Sequence, residues 1–144
     1  MPCAGLIGVD WETRIDYERM RKERLEKARE AMKKFDVDAL ILFRFENTRY
    51  VTGHRKILVC GGISADPVIT LLPKGRDPII FTMDVGSTLE REPWIRRENV
   101  KPTYWVEMDS GARGFAKAVK EILGSDAKGR IGIDNWVPPV YWAF

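Results

Sequence analysis

The stretch DALILFRFENTRYVTGHRK, residues 38–56, decides the fold. It opens with a continuous apolar run at residues 39–43. A strand that is covered on both faces of a sheet lacks the alternation of polar and apolar residues that a half-exposed strand shows. The run therefore predicts a buried strand, and the helical pattern that precedes it indicates an α/β sheet.

The second part of the stretch, ENTRYVTG, predicts a single helical turn that is capped at both ends. Asn47 can cap the start, where the helix dipole also favours the Glu46 carboxylate. Gly53 permits an exit with positive φ. Tyr50 and Val51 are spaced to pack back against the strand. These residues therefore have a structural explanation.

A long amphipathic helix precedes the strand and begins near Asp16. Most of its residues are charged, but a stripe at helical spacing is apolar and consists of Leu25, Ala28, Met32 and Phe35. We expect Thr13 and Asp16 to form a capping box at its start. Residues 1–15 are then expected to form an N-terminal arm.

Further elements follow the stretch. The turn PKGRDP between residues 67–72 and 79–82 predicts an antiparallel hairpin of two strands. We expect additional strands at residues 103–107 and 130–134, and helices at residues 87–94 and 114–123, the second closed by Gly124. Together they predict one α/β domain, residues 16–134, in which helices flank a mixed β-sheet.

The composition fits one globular domain with its own core. The chain has 144 residues, of which 44% are hydrophobic, and a formal net charge of +3. That small charge, without a basic stripe beside groove-reading motifs, argues against a nucleic-acid binder. No apolar run approaches the ~20 residues of a membrane helix, and Cys3 and Cys60 lack disulfide-framework or zinc spacing. We expect a cytoplasmic protein that binds neither nucleic acid nor membranes.

No constellation of catalytic residues is complete in this sequence. It contains no phosphate-binding loop, GxSxG elbow, HExxH helix or Cys/His pair with metal-ligand spacing. His54 is the only histidine, and no serine has the context of a nucleophile. Carboxylates such as Glu92 fall mostly in predicted turns, where they are commonly solvated, and Trp94 and Trp105 suit either an interface or the core. We expect no catalytic residue and no metal ligand in this chain.

These segments, in this order, resemble the N-terminal domain of the creatinase and Xaa-Pro peptidase family, which includes aminopeptidase P and prolidase. The resemblance covers residues 17–134. It rests on the helix ERMRKERLEKAREAMKK, then FDVDALILF, ENTRYVTG, the hairpin VITLLPKGRDPIIF and the closing RIGID. DALILF followed by ENTRYVTG is the most specific part. Members that resemble dimethylsulfoniopropionate lyases share this layout.

The resemblance implies a three-layer α/β domain, with a ribonuclease H-like motif, that is joined to a C-terminal pita-bread domain. In the family that second domain holds a dinuclear divalent metal site (Mn, Co or Zn) built from two Asp, one His and two Glu. None of those motifs occurs here, and the apolar residues 135–144 are expected to begin the linker to that catalytic domain. The resemblance thus implies a non-catalytic part of a metal-dependent hydrolase, which supports a homodimer or larger homo-oligomer and shapes the substrate entrance.

His54 and Arg55 are the candidate site residues. They follow the predicted turn in a loop, where binding groups commonly sit on a rigid base. A guanidinium fork suits a carboxylate, so we expect both residues to form a substrate-facing rim across a dimer interface. The alternative is that both side chains are simply solvated.

Two other functions stay open at this point. One is a free-standing binding or regulatory module of the same fold. The other is a small independent hydrolase that uses His54. The sequence does not separate peptidase, creatinase and lyase chemistry, because the residues that decide it are absent from the chain.

Overall fold

The computed structural model describes residues 15–55, 59–60, 63–64, 68–106 and 108–134. The predicted arm, except for Ile15, and the predicted linker lie outside these ranges. The helices are α1 (Tyr17–Lys34), α2 (Phe45–Thr52), α3 (Val85–Arg91) and α4 (Asp109–Leu123). The strands are β1 (Ala39–Leu42), β2 (Val59–Cys60), β3 (Ile63–Ser64), β4 (Ile69–Pro73), β5 (Ile79–Thr82), β6 (Val100–Pro102) and β7 (Ile131–Ile133). Short 3-10 helices span Arg97–Asn99 and Gly124–Lys128.

The main sheet is mixed and has the strand order β6-β5-β4-β1-β7. β4 pairs antiparallel with both β1 and β5, and Ile69 lies opposite Phe81 in the β4/β5 hairpin. The β1/β7 and β5/β6 pairs are parallel. β2 and β3 form a separate antiparallel ribbon. The predicted hairpin and the predicted mixed sheet are therefore confirmed.

β1 is covered on both faces, as its unbroken apolar run predicts. Ile41 belongs to a core cluster that includes Phe115 of α4. Leu42 belongs to a second cluster, in which Met32 of α1 and Val51 of α2 cover the sheet. Full burial of one such side chain contributes about 1.5–3 kcal/mol. Helices on opposite faces of one sheet make the three-layer α/β domain that was predicted.

The start of α1 is capped by Asp16. Its carboxylate accepts a hydrogen bond from Arg19 N–H at 2.9 Å, which satisfies one of the free donors of the first turn. The predicted capping box placed Thr13, which lies outside the described residues, at the cap; the cap is Asp16 instead. The predicted apolar stripe holds for Met32, which is buried. Phe35 is 62% exposed, because the helix has already ended and its periodicity no longer applies.

α2 has two turns rather than the single turn that was predicted. Arg44 occupies the N-cap position and makes no side-chain capping bond. Asn47, the predicted cap, lies inside the helix and donates from Nδ2 to Asp134 Oδ2 at 2.9 Å. The same carboxylate accepts the backbone N–H groups of Phe43 at 2.7 Å and Arg44 at 3.2 Å. The residue that follows β7 therefore supplies the acceptor that the start of α2 needs.

The strand predicted at residues 103–107 is wrong for residues 103–106, and residue 107 lies outside the described residues; β6 lies immediately before the predicted strand. β6 follows β5 to the end of that strand, and Thr103 N–H adds one hydrogen bond to Thr82 O at 3.0 Å. The chain then turns, with Val106 N–H donating to Tyr104 O at 3.0 Å. The Tyr104 ring packs against the core cluster beside α4. Tyr104 thus covers the end of the core and does not extend the sheet.

α4 begins at Asp109, earlier than the predicted start at residue 114, and ends at Leu123 with Gly124 as its C-cap, as predicted. Gly111 in its first turn lies so close to the Trp105 backbone that a Cβ would overlap the Trp105 carbonyl oxygen. A glycine at residue 111 therefore allows the first turn of α4 to lie against the backbone of the preceding segment. α3 spans Val85–Arg91 and is slightly displaced from the predicted residues 87–94.

Candidate functional site

The candidate site begins where α2 ends. Gly53 has a φ of 75°, a left-handed conformation that favours glycine, and its N–H donates to Arg49 O at 2.9 Å. The predicted exit at Gly53 is therefore confirmed. The Trp94 indole N–H donates to Thr52 O at 3.0 Å. A side chain from the segment after α3 thus satisfies the last carbonyl group of α2.

A buried carboxylate holds the residues that follow Gly53. Glu92, just after α3, is 2% exposed. Its Oε2 accepts from His54 Nδ1 at 2.8 Å, and its Oε1 accepts from Arg55 N–H at 2.7 Å. His54 N–H donates in turn to Thr52 Oγ1 at 3.0 Å. We call residues 52–55 the exit segment; both oxygens of one carboxylate fix its direction through short, charge-assisted hydrogen bonds.

His54 is wholly buried, with 0% exposure. The expectation that its side chain faces a substrate at the rim and the alternative that it is solvated are therefore both wrong for His54. Its ring makes an edge contact with Phe45, with 6.3 Å between the ring centroids. Its Nε2 is buried and has no hydrogen-bond partner among the described residues, so no described serine or cysteine forms a nucleophile pair with it. His54 holds Glu92, and the described residues assemble no hydrolase site around it.

Arg55 is the exposed residue of the pair. Its guanidinium carbon lies 4.7 Å from the centroid of the Tyr17 ring and 5.4 Å from that of Trp94. Cation–π contacts of this kind stabilise a guanidinium by about 0.5–1 kcal/mol at exposed sites. Within the described part of the chain, Arg55 forms no ion pair. It is therefore a positioned cation whose hydrogen-bond donors remain available.

Arg55 also lines a small cleft of about 250 Å³ at the end of α3. The other lining residues are Ser87, Thr88, Arg91 and Glu92. Arg91 is exposed and, like Arg55, has no ion pair among the described residues. Both oxygens of the Glu92 carboxylate are already engaged. Two unpaired guanidinium groups against one engaged carboxylate make this cleft suited to an anion.

Arg21 of α1 lies over the ring of Trp94, which Arg55 also contacts. Its guanidinium carbon lies 4.2 Å from the Trp94 ring centroid. Its aliphatic stem packs on Gly53, where a Cβ would lie 2.6 Å from Arg21 Cδ. The absence of a side chain at Gly53 therefore has two effects. It permits the left-handed φ, and it leaves space for the Arg21 side chain of α1.

Sequence reasoning missed three residues of this site: Glu92, Trp94 and Arg21. Glu92 was expected to be a solvated turn carboxylate, and its burial contradicts that expectation. Trp94 was left between interface and core, and it is half-buried with its N–H bonded to α2. Arg21 is one of many basic residues in α1. No spacing in the sequence marks them, since their contacts join segments that lie far apart in the chain.

The described ranges contain no cluster of three or more His, Cys, Asp and Glu side chains that could hold a metal ion. The described residues therefore do not fit the dinuclear metal centre that the resemblance implies for a second domain. None of the helices in those ranges is long and apolar enough to cross a membrane.

Three solved structures are similar in fold at low identity. An Xaa-Pro aminopeptidase from Streptococcus pyogenes matches with a TM-score of 0.48 and 11% identity over 88% of this chain and 99% of the other. The N-terminal domain of the cytoplasmic peptidase PepQ from Mycobacterium tuberculosis H37Rv matches with a TM-score of 0.47 and 14% identity, over 85% of this chain and 98% of the other. A proline dipeptidase from Streptococcus agalactiae 2603V matches with a TM-score of 0.46 and 14% identity, over 83% of this chain and 97% of the other.

No curated protein matches the chain significantly. The match to a family model is extensive, because the model of the creatinase/prolidase N-terminal domain covers residues 24–143. This range contains most of α1, every later element of the described fold and the hydrogen bonds of Glu92 to His54 and Arg55, which we call the clamp. The chain belongs to the creatinase/prolidase N-terminal domain family.

Proposed function

We propose that this chain is the non-catalytic N-terminal domain of a cytoplasmic, Xaa-Pro peptidase-like or creatinase-like metallohydrolase. In this role it supports a homodimer or larger homo-oligomer and shapes the substrate entrance of a neighbouring subunit. The chemistry belongs to a C-terminal pita-bread domain, whose dinuclear divalent metal (Mn, Co or Zn) would activate water for hydrolysis. Family membership supports the placement of the domain.

The observation that supports the proposal most is that the Arg55 side chain is exposed while its position is fixed. Its side chain is exposed and rests on Tyr17 and Trp94, while its backbone N–H is fixed by Glu92 at 2.7 Å. A side chain held in this way loses less conformational entropy when it binds a carboxylate. Arg55 is therefore suited to meet a substrate carboxylate at the rim. The buried His54 contributes indirectly, because it holds the Glu92 carboxylate that fixes the Arg55 backbone.

Assembly is supported by exposed apolar side chains on neighbouring loops. Met83 is 50% exposed, Trp105 51% and Met108 64%. Thr103 N–H donates to Thr82 O at 3.0 Å, which brings the residues before Trp105 beside those before Met83. Exposed aromatic and methionine side chains are enriched in protein interfaces.

The test is made on the full-length protein that contains this chain, with Arg55→Ala and Arg55→Lys. Hydrolysis of Xaa-Pro dipeptides is measured with Mn²⁺ or Co²⁺, and the oligomeric state by light scattering. We expect Arg55→Ala to lower kcat/KM at least tenfold, mainly through KM, without dissociating the oligomer. Arg55→Lys should recover part of the loss. Arg49→Ala, which removes an exposed arginine of α2, is the control. Unchanged kcat/KM in Arg55→Ala with an intact oligomer would refute the rim role.

A further inference from the structure

We propose that the cleft between α1 and Trp94 binds a small monocarboxylate with an apolar body, of the class of an N-acylated apolar amino acid. Arg21 would receive the carboxylate. This inference goes beyond the proposed function, because this cleft and the cleft beside Arg55 share no lining residue.

The cleft has the size and lining of a ligand site. Its volume is about 420 Å³, within the ~300–1,000 Å³ that is usual for small-molecule sites. Its apolar lining residues come from α1, α2, β5 with the residue before it, and the segment after α3, and they are Leu25, Val51, Pro78, Ile80, Trp94 and Ile95. Transfer of an apolar ligand body from water to such walls is favourable.

Arg21 is built to recognise an anion in this cleft. Its guanidinium stacks on Trp94 at 4.2 Å, and its stem is held on Gly53. Stacking occupies the flat face of a guanidinium and leaves the N–H donors at its edge free for a bidentate carboxylate. The side chain is half-buried, so such hydrogen bonds are less screened than on an open surface.

Among the charged residues that line the cleft, one positive charge has no ion-pair partner among the described residues. Glu18 pairs with Lys22 at 2.6 Å, and Asp77 pairs with Arg96 at 3.6 Å. All four residues line the cleft together with Arg21, which forms no ion pair with a described residue. The carboxylates of Glu18 and Asp77 would repel a dianion such as phosphate. One unpaired guanidinium therefore selects a monoanion.

The probe is N-acetyl-L-leucine, with N-acetyl-L-leucinamide as the uncharged match. Both are titrated into the ¹⁵N-labelled 144-residue chain, and the Trp94 indole N–H resonance is followed, after assignment by its loss in Trp94→Phe. We expect the acid to shift this resonance with a dissociation constant on the order of 1 mM. The amide should bind about tenfold more weakly, because it lacks the charge-assisted contact.

Arg21→Ala should weaken binding of the acid about tenfold, and Arg21→Lys should recover part of the affinity. Arg19→Ala is the matched control, since Arg19 lies on the same helix and pairs with Glu23 at 3.5 Å. Equal binding of acid and amide to the wild-type chain would overturn the carboxylate assignment. A Trp94 resonance that neither probe moves would overturn the site itself, and both outcomes are independent of how the Arg21 variants fold.

Discussion

The Glu92 carboxylate accepts a hydrogen bond from His54 Nδ1 at 2.8 Å, and the side chains are 3% and 0% exposed. The two residues are 38 positions apart in the sequence. Glu92 also accepts the Arg55 N–H, so one buried acid joins the end of α3 to the residues that follow α2. This contact sets the position from which the Arg55 side chain reaches solvent.

Removal of Glu92 should destabilise the fold. Glu92→Ala leaves the buried His54 ring and the Arg55 N–H without their acceptor, so we expect a loss of about 2–4 kcal/mol in the free energy of unfolding. Urea unfolding followed by circular dichroism measures it. Glu90→Ala, a change at an exposed position of α3, should stay within about 0.5 kcal/mol of wild type. Equal stability of the two variants would show that the clamp is unimportant for the fold.

Gly53→Ala should cost more than the same change at Gly75. Both glycines have left-handed φ values, 75° and 69°, and alanine in this conformation costs about 1–2 kcal/mol. Nothing lies within 4 Å of a Cβ at Gly75, whereas a Cβ at Gly53 would displace Arg21. The difference between the two losses, measured in urea, therefore reports the Arg21 contact.

A double-mutant cycle checks this explanation. Arg21→Ala introduced into Gly53→Ala should cost less than Arg21→Ala in the wild-type chain, because the clash is removed with the side chain. If Gly53→Ala and Gly75→Ala lose the same stability, or if the effects of Gly53→Ala and Arg21→Ala are additive, the packing of Arg21 on Gly53 has no energetic role.

Asp38 should make stability depend on acid pH. The Arg130 N–H at 2.9 Å and the Lys74 ammonium at 3.2 Å hold the pKa of the Asp38 carboxyl below its usual value. A lowered pKa in the folded state stabilises the fold above the unfolded-state value of about 3.9. This contribution declines as the pH falls through that value and is lost below the folded-state pKa.

The measurement is the difference in unfolding midpoint between wild type and Asp38→Asn across pH 7 to pH 2. We expect wild type to be more stable at pH 7 and the difference to shrink steadily below about pH 4. Glu30→Gln, at an exposed position of α1, should show little difference at any pH. A gap between wild type and Asp38→Asn that persists at pH 2 would contradict the assignment to this carboxyl.

Local sequence patterns were sufficient to predict the elements whose conformation depends mainly on residues that are close in the sequence. The unbroken apolar run of β1, the turn between β4 and β5 and the glycine at residue 53 each fix the chain through short-range sterics and burial. Val51 packs against the sheet as predicted, but Tyr50 beside it is 39% exposed and lies under the Arg24 guanidinium at 5.3 Å. Helical spacing alone does not define where the buried face of a short helix ends.

The failures have a different physical origin. The strand predicted at residues 103–107 has the right residue types, but its neighbour β5 ends at Thr82, whose carbonyl group accepts only the N–H of Thr103, the first residue of the predicted strand. The exposed Arg55 could be selected from its loop position. The buried state of His54 could not, because it depends on Glu92, a partner that only the tertiary fold brings within 2.8 Å.

The central claim is that Arg55 serves the active site of a neighbouring subunit, and mixed oligomers test it most directly. One protomer of the full-length protein carries Arg55→Ala with an intact catalytic domain. The other keeps Arg55 but has its catalytic-domain metal ligands replaced, so that each is poorly active alone. We expect activity towards Xaa-Pro dipeptides to reappear when the two are unfolded together and reassembled. Activity that stays at the sum of the separate homo-oligomers would contradict a role for Arg55 across the subunit interface.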